Sequence, residues 1–178
     1  MEDVRKSGSA SIDLRLGTWF VSLPRAQISH LGIGKRVAEM PRSQTEYVPF
    51  GMSYVIHPGT FVLGVTMEWI RMPKCLAGYV VGRSSWGRRG LVIATAIGVH
   101  PGFTGCLTLE LANLGEIPLE IRPGVSICQL FLHRLETTDP RRVDKSQFTA
   151  QRKPIVTAVT LDPIARKLAS AYARRRKK

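Results

Sequence analysis

Short apolar runs separated by turn residues follow one another along most of this chain, and this pattern predicts a mainly β protein. Residues 11–20 alternate apolar and polar positions, which is typical of a strand with one buried face. Turns rich in glycine and proline, such as His57-Pro58-Gly59, divide the rest into short segments. We predict further strands at residues 54–56, 60–66, 77–81, 91–96, 106–112, 119–121 and 127–135.

Many short strands with tight turns favour an all-β fold, a barrel or a sandwich, with a few short helices. One helical turn is predicted at residues 84–89. A longer helix is predicted from Pro163, with Asp162 as its N-cap, because aspartate caps helix starts and proline suits the first helical position. Residues 24–46 are expected to form a long loop with short pieces of strand.

Length and composition predict one globular domain. The chain has 178 residues, of which 44% are hydrophobic, enough to form a core. The sequence has no apolar run near the roughly 18 residues of a membrane span, and its N-terminus does not resemble a secretory signal. We therefore expect a cytoplasmic protein with no membrane partner.

The net charge of +13 is unevenly distributed, because residues 164–178 contain seven basic residues and no acidic one. One interpretation is a contact with nucleic acid. The other is a helix whose basic end is favourable to its dipole and is followed by a solvated tip. We favour the second interpretation and do not expect a nucleic-acid partner.

The cysteines and histidines do not form a metal-binding pattern. Cys75, Cys106 and Cys128 include no C-x-x-C pair, and the four histidines are scattered without ligand spacing. We expect buried free thiols in a reducing compartment and no zinc site.

A candidate phosphate-binding turn lies in the sequence R-S-S-W-G-R at residues 83–88. Arg83 and Arg88 supply forked donors that match phosphate oxygens, and the serine hydroxyls and backbone N–H groups add further donors. Gly87 lets the backbone approach a ligand closely. The alternative is a surface turn that carries arginines.

Glu110 is a lone acid in the alternating run C-L-T-L-E-L-A. Leu107, Leu109 and Leu111 share one face of the predicted strand, and Thr108 and Glu110 share the other. If the polar face lines a pocket, Glu110 is a candidate general acid and base. The alternative is an exposed glutamate on a solvent face.

Taken together, these segments resemble the dCTP deaminases, in the family that also contains the trimeric dUTPases. The likeness covers roughly residues 10–153. It rests on I-D-L-R-L-G at 12–17, H-P-G-T-F-V-L-G-V-T-M-E at 57–68, G-R-S-S-W-G-R-R-G-L at 82–91, T-A-I-G-V-H-P-G-F-T-G-C-L-T-L-E-L at 95–111, R-P-G-V-S-I-C-Q-L at 122–130 and F-T-A-Q-R at 148–152.

The resemblance implies a distorted β-barrel of the β-clip, dUTPase-like type at residues 1–153. A segment near residues 145–153 would cover the nucleotide, and residues 154–178 would form a C-terminal extension with a basic helix. The resemblance also implies a homotrimer with active sites between subunits, and a magnesium ion bound through the triphosphate.

The resemblance also assigns roles to individual residues. Glu110, Ser84 and Arg88 match the catalytic positions, with Glu110 as proton donor and acceptor. The implied nucleotide-binding residues are Arg83, Ser84, Ser85, Trp86, Gly87, Arg88, Ala96, His100, Thr108, Leu109, Glu110, Gln129 and Gln151.

The implied reaction is the hydrolytic deamination of dCTP to dUTP and ammonia. Zinc deaminases show H-x-E with P-C-x-x-C, and this chain has neither pattern, so a carboxylate is expected to activate the water. His100 stands where the family often has an aspartate, which argues against dUTPase activity. A dUTPase-type or bifunctional enzyme and a non-catalytic nucleotide-binding protein remain as alternatives.

Overall fold

A computed structural model describes residues 11–23, 43–95, 98–136, 150–157, 159 and 162–175. Four predictions fall wholly or partly outside these residues. They concern the long loop predicted at residues 24–46, of which residues 24–42 are outside, Ala96, residues 145–149 of the predicted covering segment, and the basic tip at residues 176–178.

The described chain consists mostly of short strands, which confirms the mainly β prediction. In chain order they are β1 (Ser11–Arg15), β2 (Trp19–Ser22), β3 (Gln44–Tyr47), β4 (Tyr54–Ile56), β5 (Phe61–Val65), β6 (Ile70–Arg71), β7 (Leu76–Gly82), β8 (Leu91–Ile93), β9 (Gly98–Val99), β10 (Thr104–Gly105), β11 (Thr108–Asn113), β12 (Leu119–Ile121) and β13 (Ser126–Arg134). The helices are α1 (Ser84–Gly87) and α2 (Pro163–Arg175).

Within the described residues, the strands form four separate antiparallel sheets and no closed barrel. The first sheet has the order β1-β13-β7-β9, and the second has the order β3-β2-β5-β11-β8. Two further pairs are β10-β6 and β12-β4. The strands at the two ends of each large sheet pair with one neighbour only, so neither sheet closes on itself.

The predicted strand at residues 11–20 is wrong as a single element, because the chain passes there from the first sheet to the second. β1 ends at Arg15 and β2 begins at Trp19. Between them the N–H of Gly17 donates to the carbonyl of Val65 at 2.7 Å. A Cβ atom on Gly17 would lie 2.9 Å from Cγ1 of Val65, so the close crossing requires glycine.

The two large sheets share one hydrophobic core. Leu14 of β1 and Ile127 of β13 belong to the same buried cluster as Phe20 of β2 and Leu109 and Leu111 of β11. The last four of these residues have no exposed surface. Burial on this scale is the main favourable contribution to the stability of the fold.

α2 begins where the sequence predicts. Oδ1 of Asp162 accepts a hydrogen bond from the N–H of Ile164 at 2.7 Å, as expected of an N-cap followed by proline. No helix in the described ranges is long and apolar enough to cross a membrane.

The chain divides into two compact units. One consists of Met1–Leu23 and Gln44–Ile155, and the other of Pro24–Ser43 and Val156–Lys178. The strands β1 to β13 lie in the first unit, and α2 lies in the second. The boundary predicted after residue 153, with a catalytic domain before it, stays a prediction.

Candidate active site

The predicted phosphate-binding turn lies between β7 and β8, where α1 makes one helical turn. The N–H of Arg83 donates to the carbonyl of Ile127 on β13 at 3.2 Å, so the turn begins against the first sheet. The N–H of Arg88 donates to the carbonyl of Ser84 at 2.9 Å and closes the turn.

One side chain anchors this turn, and three others are exposed. Nε1 of Trp86 donates to the carbonyl of Ser126 at 3.0 Å, and the half-buried indole packs against the core. Ser84, Ser85 and Arg88 are exposed. Among the described residues the Arg88 side chain has no hydrogen bond or ion pair, so its donors are available to an anion.

Two glycines shape the end of the turn. Gly87 is exposed, and nothing lies within 4 Å of the position that a Cβ atom would occupy there. Gly90 has a φ of +92°, and its carbonyl accepts from the N–H of Leu114 at 2.8 Å. The turn is therefore open at Gly87 and closely packed at Gly90.

Asp13, which the sequence analysis did not single out, joins two predicted nucleotide-binding residues. Its Oδ2 forms an ion pair with Nη1 of Arg83. Its Oδ1 accepts a hydrogen bond from Nε2 of Gln129 at 2.9 Å. Asp13 lies directly opposite Gln129 in the pairing of β1 with β13, and an acid within the apolar alternation of β1 was the available signal.

Glu110 lies on β11, whose alternation is as predicted. The Leu109 side chain is fully buried, whereas Thr108 and Glu110 are half-buried. Leu63 and Val65 of β5 pair with Glu110 and Thr108, share their face of the sheet, and are 8% and 2% exposed. The carboxylate therefore lies beside buried apolar side chains, not on a fully solvated face.

The backbone of Glu110 is held from the β8 side. The carbonyl of Glu110 accepts from the N–H of Ala94 at 2.8 Å, and its N–H donates to Oγ1 of Thr95 at 2.9 Å. In the described part of the chain, the Glu110 side chain makes no hydrogen bond or ion pair. Its carboxylate is therefore available to a ligand.

Gln151 lies on a segment that docks beside the start of β11. The carbonyl of Gln151 accepts from the N–H of Cys106 at 2.9 Å, and the N–H of Ala150 donates to the carbonyl of Thr104 at 2.6 Å. The side chains that follow reinforce this docking. The guanidinium of Arg152 lies 5.1 Å from the ring centre of Trp69, and Nζ of Lys153 lies 3.6 Å from that of Trp19.

His100 begins a turn. Its side chain is exposed, and its carbonyl accepts from the N–H of Phe103 at 3.1 Å. Gly102 within the turn has a φ of +77°, which favours glycine.

The predicted site residues form two groups in the chain. Arg83 and Gln129 meet through Asp13 at the first sheet. Glu110 lies on the second sheet, and no hydrogen bond or ion pair among the described residues joins it to Arg83 or Arg88.

Two thiols have raised pKa values. Burial raises the pKa of Cys128 to about 12, and the charges of Glu68 and Asp13 add to the effect. Burial also raises the pKa of Cys106, although the charge of Arg152 opposes it. The third thiol, that of Cys75, is exposed, so the prediction that all three cysteines are buried is wrong.

These features define a β-sheet protein with an exposed arginine turn and, on the neighbouring sheet, a carboxylate that no other described residue pairs with. A family model described as dCTP deaminase-like matches residues 2–135. The chain therefore belongs to the dCTP deaminase-like family.

Two relatives and one solved structure illustrate the match. A dCTP deaminase of Natronomonas pharaonis is 42% identical over 134 residues, which are 74% of this chain and 68% of the relative. A dUMP-forming dCTP deaminase of Methanobrevibacter smithii is 34% identical over 171 residues, covering 91% of this chain and 86% of the relative. The crystal structure of 2'-deoxycytidine 5'-triphosphate deaminase from Agrobacterium tumefaciens has a TM-score of 0.54 at 24% identity, covers 74% of this chain and 41% of its own, and supports the fold alone.

Proposed function

We propose that this protein is a dCTP deaminase that converts dCTP and water to dUTP and ammonia in pyrimidine deoxynucleotide synthesis. One observation carries the proposal. In a chain of the dCTP deaminase-like family, Glu110 has a carboxylate that is half-buried beside apolar side chains and has no partner among the described residues. A carboxylate in such a setting is suited to exchange protons with a bound substrate.

In this proposal Glu110 accepts a proton from water as the water oxygen bonds to C4 of cytosine. The proton passes to the ring nitrogen N3, which gives a tetrahedral intermediate. Glu110 then helps to deliver the second water proton to the amino group, the C4–N bond breaks, and ammonia leaves. Ser84 and Arg88 stabilise the charge that develops during these steps, because hydroxyl and guanidinium donors stabilise anionic oxygen.

The nucleotide is held by the remaining residues that the resemblance implies. The turn from Arg83 to Arg88 binds the nucleotide, with Arg83 at the phosphates and Ser84 and Arg88 closest to the reaction, and the exposure of Ser84, Ser85 and Arg88 supports this role. The backbone at Thr108 and Leu109 holds the base, and the carbonyl of Ala96 helps to activate the water. Gln129, Gln151 and His100 complete the contacts.

The site is completed between subunits of a homotrimer. The resemblance to the family that contains the trimeric dUTPases supports this arrangement. Magnesium, when bound, would neutralise phosphate charge and arrive with the triphosphate. Binding of magnesium through the triphosphate fits the described residues. They include no group of three metal-binding side chains. The two oxygens of Asp13 already have partners in Arg83 and Gln129. The proposed location is the cytoplasm.

A second candidate is a dCTP deaminase that also releases pyrophosphate and forms dUMP. The Methanobrevibacter smithii relative carries that name and matches 91% of this chain. His100 opposes this candidate, because an imidazole does not simply replace the aspartate common at that position in the family.

The test is a product assay on the purified chain with dCTP and, separately, dUTP. Ammonia and pyrophosphate are measured independently. Ammonia from dCTP without pyrophosphate supports the proposal, and both products from dCTP support the dUMP-forming alternative. Pyrophosphate from dUTP alone would indicate a dUTPase-type enzyme. Nucleotide binding with neither product would indicate a non-catalytic protein.

A further inference from the structure

Asp13 lies in an unusual place for an acid, because it directly contacts a residue proposed to bind phosphate. A carboxylate near a triphosphate is electrostatically unfavourable, so its presence calls for a compensating role. Asp13 can orient other side chains, because its two oxygens contact two different residues.

Both partners belong to the proposed nucleotide-binding residues, and Arg83 is the one placed at the phosphates. Oδ2 pairs with Nη1 of Arg83, and Oδ1 accepts from Nε2 of Gln129 at 2.9 Å. The Asp13 side chain is 24% exposed and that of Arg83 is 34% exposed, so the pair is partly shielded from solvent. A carboxylate with both oxygens engaged fixes the direction of each partner.

The ion pair leaves the guanidinium able to bind a second anion. Arg83 has five N–H donors, and the pair with Asp13 engages Nη1. The backbone N–H of Arg83 is also fixed, because it donates to the carbonyl of Ile127 at 3.2 Å. Main chain and side chain are therefore both restrained before any ligand arrives, which reduces the conformational entropy lost on binding.

We propose that Asp13 is a positioning residue that orients Arg83 toward the phosphates of the nucleotide and holds Gln129 in place to contact the nucleotide. This inference rests on the proposed function for its substrate. It concerns binding and not the chemical step, so Asp13 acts on KM and not on kcat.

The test compares Asp13→Asn and Asp13→Glu with the wild-type protein. Asparagine keeps the shape and removes the charge, whereas glutamate keeps the charge and moves it by one methylene group. If Asp13 positions its partners, both variants raise the KM for dCTP, Asp13→Asn by about tenfold, or 1.4 kcal/mol, with kcat changed less than about twofold. An unchanged or lower KM in Asp13→Asn contradicts the proposal, because it means that the carboxylate only repels phosphate. A wild-type KM in Asp13→Glu also contradicts the proposal. It would mean that a negative charge is enough for binding and that the position of the carboxylate does not matter.

A coupling measurement separates positioning from a structural role. In an Arg83→Ala background, Asp13→Asn should have a smaller effect on KM than in the wild type, since Gln129 is then the one remaining residue through which it acts. Fully additive effects would overturn the inference. The matched control is Glu120→Gln, which breaks the exposed pair between Glu120 and Arg122, 2.6 Å apart, and should leave KM unchanged.

A second ligand separates this inference from the proposed function. Inorganic tripolyphosphate binding, measured by calorimetry, reports the phosphate contacts without any turnover. If the wild-type protein binds tripolyphosphate but does not deaminate dCTP, the proposed function fails. The Asp13 inference is still tested in that case, because it predicts that Asp13→Asn binds tripolyphosphate more weakly than the wild type. Equal binding of tripolyphosphate by the wild type and both Asp13 variants contradicts the inference, whatever the activity.

Discussion

Gly90 allows a direct test of how the arginine turn is held, through the substitution Gly90→Ala. Its φ of +92° lies in the left-handed region, where a side chain costs about 1–2 kcal/mol. A Cβ atom there would also lie 2.7 Å from the amide nitrogen and Cα of Gly115, which are backbone atoms and cannot rotate away. Overpacking of this kind adds about 1–3 kcal/mol, so we expect a total loss of about 3 kcal/mol.

Thermal unfolding measures this loss. In a chain of this size each kcal/mol lowers Tm by about 2–4 °C, so Gly90→Ala should unfold about 6–12 °C below the wild type. The matched control is Gly51→Ala, because Gly51 has a φ of +89° but nothing within 4 Å of its Cβ position. The control should lose only the conformational part, about 1–2 kcal/mol. Equal losses in the two variants would refute the steric argument, and an unchanged Tm in Gly90→Ala would refute both parts.

Two further predictions concern the core and the thiols. Asn113 is fully buried, and its Nδ2 donates to the carbonyls of Ile56 and Ile117 at 2.9 Å, so Asn113→Ala should lower the free energy of unfolding in urea by at least about 3 kcal/mol through unpaired buried groups. A loss below about 1 kcal/mol would show that water replaces these bonds. Alkylation by iodoacetamide at pH 8, followed by mass spectrometry, should modify exposed Cys75 readily and Cys128 only after unfolding, because burial and a pKa of about 12 keep that thiol protonated. Rapid labelling of Cys128 in the native protein would contradict this.

Alternation and turn residues predict much of the fold because they act locally. The predicted strand at residues 54–56 coincides with β4, and that at 119–121 coincides with β12. The cap at Asp162 depends on one side chain and the turn that follows, so sequence alone could place it. The alternation of buried and half-buried residues around Glu110 was readable for the same reason.

Features that depend on pairing between distant segments could not be predicted. The crossing at Gly17 is decided by Val65, which is remote in sequence. β9 and β10 contain two residues each, too few to show any alternation. The link from Asp13 to Arg83 and Gln129 arises only when β13 lies between β1 and β7, an order that no local pattern specifies.

The proposed role of Glu110 is tested most directly by the rate of ammonia release from dCTP in Glu110→Gln. Loss of a general acid and base should lower kcat by about 10²–10⁴-fold, while dCTP affinity measured by calorimetry stays within a few-fold of the wild type. Glu116→Gln makes the same chemical change at an exposed glutamate and should retain full activity. Ammonia release from Glu110→Gln at the wild-type rate would contradict the account.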